Sequence, residues 1–203
     1  MASQVDICNA ALHLIGAQPI VALTDANDRA RVCALAFPQQ RDAVLRALPW
    51  NFAITRSDTL AAMSPAPTWG FAFRFQLPSD PYCLRVLGFE NDEAEPWRVE
   101  GRTVLTDVDE IKLIYIARIT DSEQFDPAFL EALKFKLASE LAFPITGKAS
   151  LSRDLLERYE HALGDARTYD SQESSVEDTS DLSLVYVRHG AGGSPGRPWW
   201  LNG

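Results

Sequence analysis

The chain has 203 residues, 46% hydrophobic and 23% charged, which is ordinary globular composition and excludes a collagenous or wholly disordered polypeptide. Nineteen basic against twenty-eight acidic residues give a net charge of −9, which argues against general binding to nucleic-acid phosphates. No run approaches the roughly 18 apolar residues that span a bilayer, and MASQVDICNAAL lacks the basic start of a signal peptide, so neither a membrane span nor a leader is expected. Cys8, Cys33 and Cys83 are odd in number and outside any ligand spacing, and read as reduced core thiols.

In chain order, Ser3 can cap a first helix in which Val5, Cys8, Leu12 and Ile15 recur at helical spacing, ended by Gly16 and Pro19. Thr24, Asp25, Asn27 and Asp28 can cap a second helix over about 28–48. Its apolar side reads as Val32, Leu35, Ala36, Val44, Leu45 and Leu48, and Pro38 should kink or split it. From Trp50 the period changes to two: Trp50, Phe52 and Ile54 alternate with polar or small residues, as do Phe71, Phe73, Phe75 and Leu77. Further strands are predicted over 83–89, 97–100, 103–106 and 110–119, with Gly101-Arg102 as a hairpin tip and residues 78–81 as a turn. No helical crossover separates them, so residues 50–120 read as an antiparallel meander or small sandwich. Asp126-Pro127 starts a third helix whose Phe129, Leu130, Leu133, Leu137 and Leu141 mark one face, broken by Pro144 and Gly147. A fourth helix is predicted over about 148–169, with Leu151, Leu155, Tyr159, Ala162 and Leu163 inward.

Two helices before and two after the strands predict an α+β fold: a four-helix bundle (1–49 and 121–170) with an inserted antiparallel β domain (50–120) and an extended C-terminal arm (171–203). The arm begins with the acidic run SQESSVEDTSD, continues with the strand-like LSLVYV, and ends in a Gly/Pro-rich stretch before Trp199-Trp200. Such a segment cannot bury itself, yet a solvated linker has no use for a β-competent run and two tryptophans. It is expected to dock on another chain, with Leu184, Val185, Tyr186, Arg197, Trp199 and Trp200 as partner contacts.

Catalytic, cofactor and metal sites are all expected to be absent. Gly192-Gly193-Ser194-Pro195-Gly196 fits the spacing of a nucleophile elbow, but Pro195 has no N–H for an oxyanion and cannot open a helix. Thr146-Gly147-Lys148 lacks the upstream glycine of a phosphate loop, where Ala142 stands, and its magnesium-binding hydroxyl, where Ala149 stands. His13, His161 and His189 have no partners at metal spacing. Glu131, Glu140, Glu157 and Glu160 could supply paired carboxylates, but pairs such as Glu131 with Lys134 and Glu157 with Arg153 read as a solvated charged face. Phe71, Phe73 and Phe75 read as core residues, not a base-stacking platform.

Three stretches, in order, carry a family resemblance. ICNAALHLIGAQPI with RVCALAFPQQRDAVLRALPWNFA, then FAFRFQLPSDPYCLRVL, then YIARITDSEQFDPAFLEALKFKLASELAFPITGKASL, resemble the tail tubular protein A family of tailed bacteriophages. Leu48 to Phe52 and Gln76 to Asp80 are the most distinctive, and the resemblance covers residues 4–170 but not the arm. It implies a non-enzymatic head-to-tail adaptor in the neck of the virion, assembled from the host cytoplasm. Such adaptors form a ring, usually of twelve copies, between the portal protein and a tail or nozzle protein. Genome DNA passes through the lumen without specific binding, which an acidic wall would favour. A peptidoglycan-degrading virion enzyme and a soluble interaction module outside the virion are the alternatives.

Overall fold

The computed structural model describes residues 3–90 and 96–173, with side chains to Thr168. Helix α1, Gln4–Leu14, opens on a capping box: the Asp6 N–H donates to Ser3 Oγ at 3.2 Å and the Ser3 N–H donates to Asp6 Oδ2 at 2.9 Å. Gly16, at φ +73°, supplies the left-handed turn after it. Asn9 then clamps the following loop to α1, donating to the Ile20 carbonyl at 2.9 Å and accepting from the Ile20 N–H at 2.8 Å.

Helix α2, Asp28–Ala47, is capped by Asn27, whose Oδ1 accepts from the Ala30 N–H at 2.9 Å. Pro38 does not split it. The carbonyl that Pro38 leaves unpaired belongs to Ala34, and both residues face solvent, where water can satisfy it. The buried face also differs from the sequence reading. It is Ala30, Cys33, Phe37, Arg41, Val44 and Leu45, while Leu35 lies on the opposite side, 64% exposed.

The strand expected from Trp50 is mostly something else. Trp50 is buried among the helices, with Nε1 donating to the Val44 carbonyl at 2.8 Å. A 3₁₀ turn, Asn51–Ala53, follows, and only Ile54–Arg56 forms strand β1. The aromatic side chains decide this. Trp50 and Phe52 both meet Phe129 edge-on at 5.2 Å, and Phe125 lies 4.8 Å from Phe129.

The other strands are β2 Phe73–Gln76, β3 Cys83–Phe89, β4 Trp97–Glu100, β5 Thr103–Thr106 and β6 Leu113–Ala117. They form two antiparallel three-stranded sheets, β1-β6-β3 and β2-β5-β4. This is not a meander: only β4 and β5, joined at Gly101-Arg102, are neighbours in both chain and sheet. The 71–77 and 110–119 strands are shorter than the alternation predicts. Ile111, on the flank of the second, makes a single bridge to Leu60, and Phe75, inside β2, makes one to Ala62.

Helix α3, Pro127–Thr146, is capped by Asp126, whose Oδ1 accepts from the Ala128 N–H at 2.7 Å. It runs through Pro144, because the carbonyl lost there belongs to solvent-facing Glu140, and ends at Gly147 with φ +71°. Helix α4, Ala149–Glu173, returns beside it, tied by Ser152 Oγ donating to the Ser139 carbonyl at 2.7 Å. The fold is α+β, with α3 packed against α1, α2 and α4. Among the described residues no helix is long and apolar enough to cross a membrane.

The first sheet separates two cores. Its Leu87 and Ile116 are buried with the helices, and Ile54, Leu84 and Ile114 pack there too. Its Cys83, Phe89, Leu113, Tyr115 and Ala117 join Phe75, Leu77, Val104 and Ile111 in a second cluster against the other sheet. Trp50→Ala should lower unfolding free energy by about 3–5 kcal/mol, since it empties a packed site and removes the indole N–H bond to the Val44 carbonyl. Trp69→Ala, at a residue 83% exposed, should change it by less than about 0.5 kcal/mol. Urea titration checks both, and equal effects would contradict this core.

Candidate functional site

The partner contacts expected in the arm, Leu184, Val185, Tyr186, Arg197, Trp199 and Trp200, lie outside the described residues, as does the Gly192–Gly196 segment. Of the other candidates, His13 and His161 are exposed, on α1 and α4. Among the described residues no group of three or more His, Cys, Asp or Glu is placed to hold a metal ion. Glu131 accepts from Lys134 Nζ at 2.6 Å and Glu140 from Lys136 Nζ at 3.2 Å, both as exposed pairs along α3; the Glu157–Arg153 pair does not form. Gly147 makes the turn between α3 and α4, and Thr146 Oγ1 donates back to the Ala142 carbonyl at 2.6 Å. Phe75 is fully buried in the second core. The three thiols are free and buried. The Cys33 side chain beside Cys8, and then burial, push the Cys8 thiol far up.

The structure gathers a different set of residues. Arg46 in the last turn of α2, Arg85 on β3, Arg102 at the β4–β5 tip and Arg118 just past β6 line one cavity of about 470 Å³. Tyr82 stands in the middle, its ring flanked by the Arg102 guanidinium at 4.0 Å and the Arg118 guanidinium at 4.1 Å. Arg102 is fixed by donating to the Cys83 carbonyl at 2.6 Å and the Pro78 carbonyl at 2.7 Å. Arg118 Nε lies 2.7 Å from Asp42 Oδ2. Arg85 donates to the Arg46 carbonyl at 2.9 Å, and Arg46 donates in turn to the Leu84 carbonyl.

Among the described residues no carboxylate lines this cavity. Asp42, which reaches Arg118, is shared with the buried Arg41, whose Nη2 lies 2.7 Å from Asp42 Oδ1. A guanidinium carries five N–H donors in a rigid fork. Arg46 spends one on Leu84, and the Arg118 ion pair to Asp42 engages one more. Carbonyl groups hold Arg46, Arg85 and Arg102 and the Asp42 carboxylate holds Arg118, so the like charges are compensated only in part and an anion at the cavity would relieve the remaining repulsion. The arrangement can bind negative charge, in a protein whose overall charge is −9.

Sequence reasoning missed this cavity. The arginines run from position 46 to position 118 with no local motif, and only the tertiary fold brings them together. No protein-family model matches the chain, and a search of curated proteins finds no match either.

Cys83 lines the same cavity from β3, and burial pushes its thiol up to about 11, against a smaller opposing pull from Arg102. An exposed thiol in the unfolded chain loses its proton near 9. The folded state therefore holds a proton that the unfolded state releases between these values, and stability falls as pH rises from about 9 to 11. Urea midpoints measured from pH 7 to 11 should decline over that window, and less steeply in Cys83→Ala. An identical decline in the variant would remove Cys83 as a cause.

Proposed function

We propose that the chain is a structural head-to-tail adaptor of a tailed bacteriophage, a ring-forming block beneath the portal protein. The observation that supports this most is the order and packing of the elements. Helices α1 and α2 precede the six strands, α3 and α4 follow them, and all four contribute to one core around α3. This order supports the plan that the resemblance over residues 4–170 implies, a four-helix bundle with an inserted β domain.

A ring subunit also needs two unlike sides, because head-to-tail contacts close only if one surface complements another on the next copy. Large apolar side chains stand in solvent on separate elements: Val21 in the loop before α2, Leu35 on α2, Trp69 between β1 and β2, and Phe143 on α3. Scattered positions of this kind suit several modest contacts rather than one large dimer face. The arm, residues 171–203, completes the design as a strap onto the portal or a neighbouring copy, and the lumen passes DNA.

Negative-stain imaging of the full chain mixed with its portal should show portals extended by an added ring. Portals that stay unchanged would contradict the adaptor reading. Deleting residues 182–203 should leave far-UV circular dichroism unchanged and abolish co-sedimentation with the portal, and undiminished co-sedimentation would count against the strap.

A further inference from the structure

We propose that the groove between α3 and α4 is the seat of this chain's own Trp199 and Trp200. On α3 the groove takes Ala128, Glu131 and Phe135, one face at spacing i, i+3, i+7. On α4 it takes Arg158, His161, Ala162, Asp165 and Ala166, again one face. Its volume is about 440 Å³, in the range that holds a small ligand or a pair of aromatic side chains. Three of the floor residues are alanines, which leave room between the helices, and the Phe135 ring stands at one end. The rim is charged. Glu131 already holds Lys134, whereas Asp165 and Arg158 have no ion-pair partner among the described residues. Tryptophan suits such a groove. Its flat apolar body covers the floor, its indole N–H needs an acceptor once it leaves water, and a guanidinium stacks on its face. Arg197, two positions before Trp199, adds a charge opposite to that of Asp165. The strand-like LSLVYV suits it less, because two helices offer no sheet edge to its backbone N–H and C=O groups.

The length of chain beyond α4 favours the same copy as the source. From Ala166 in the groove the helix continues to Glu173, about 10 Å further at 1.5 Å per residue. Residues 174–198 then precede Trp199, enough chain to span roughly 80 Å when extended. Reach is therefore no obstacle. A segment tethered this close to its seat is presented at an effective concentration of up to about the millimolar range. The tryptophans of a second copy arrive only at the bulk concentration, which is far lower in dilute solution. The inference does not rest on the adaptor reading. On that reading it adds a regulation: the two anchors stay covered until the portal draws them out of the groove.

The test cross-links the full chain in dilute solution. One variant carries His161→Cys, at an exposed rim position, and Leu201→Cys, beside the tryptophans; a second carries Glu131→Cys, on the other side of the groove, with Leu201→Cys. The three native thiols are buried and leave the introduced pair to react with diamide. Non-reducing gels separate products within one chain from products between chains, and peptide mapping identifies the pair. A disulfide within one chain should form to Cys at 161 or 131, and adding Trp199→Ala and Trp200→Ala should slow it about tenfold. These two changes alter no described residue, so the slowing cannot come from a misfolded body. A disulfide that forms equally fast without the tryptophans reports chance encounters of the tether and would overturn the proposal. So would its absence from both variants. A product mainly between chains would put a second copy's segment in the groove, and would overturn it too. No portal enters the experiment, so its outcome leaves the adaptor reading as it stands.

Discussion

Strand β6 is shared by both cores, and the remaining structure is arranged around that fact. Ile114 and Ile116 point into the helical layer, while Leu113, Tyr115 and Ala117 point into the layer between the sheets. A five-residue strand buried on both faces must be apolar at every position, as LIYIA is, and each large side chain it buries contributes about 1.5–3 kcal/mol. Its neighbour β3 has to serve the same two layers over seven residues, and it does so with two register shifts, between Cys83 and Arg85 and between Val86 and Gly88. Each shift resets the alternation, so that Leu84 and Leu87 reach the helices while Cys83, Val86 and Phe89 reach the other sheet. Without those bulges, strict alternation would put Leu87 and Phe89 on the same side.

The same shared sheet builds the basic cavity. Arg85 and Arg118 come from its strands or their ends, Arg46 from the helix it packs on, and Arg102 from the hairpin of the other sheet. The backbone carbonyls of residues 77, 78, 83, 84 and 46 hold three of these guanidiniums in place, so the charges are positioned by the meeting of all three layers rather than by one element. The adaptor we propose, transmitting load between a portal and a tail, needs such a body, one whose layers do not slide over each other.

Much of this was legible from local chemistry. Ser3, Asn27 and Asp126 announced helix starts because a cap needs only its own side chain and the next N–H groups. The 83–89 strand is predicted in its place, without its two register shifts, and the Gly101 tip follows from a residue tolerating φ +58°. What failed depended on tertiary context. Leu35 looks like core by type and Arg41 does not, yet burial chose Arg41 because Asp42 beside it neutralises the charge. Pro38 and Pro144 read as breaks because sequence does not reveal which carbonyl water can reach. Trp50 and Phe52 alternate like a strand but serve an aromatic cluster closed by Phe125 and Phe129, more than seventy residues away. The arginine cavity left no local trace.

The central claim is that helices and sheets form one cooperative body through β6. Native-state hydrogen exchange at increasing urea tests it most directly. The amides of β6 and those of α3 should converge on the same opening free energy and the same urea dependence, which marks a single unfolding unit. A β6 that exchanges at markedly lower free energy while α3 stays protected would show the layers opening separately, and would contradict the account.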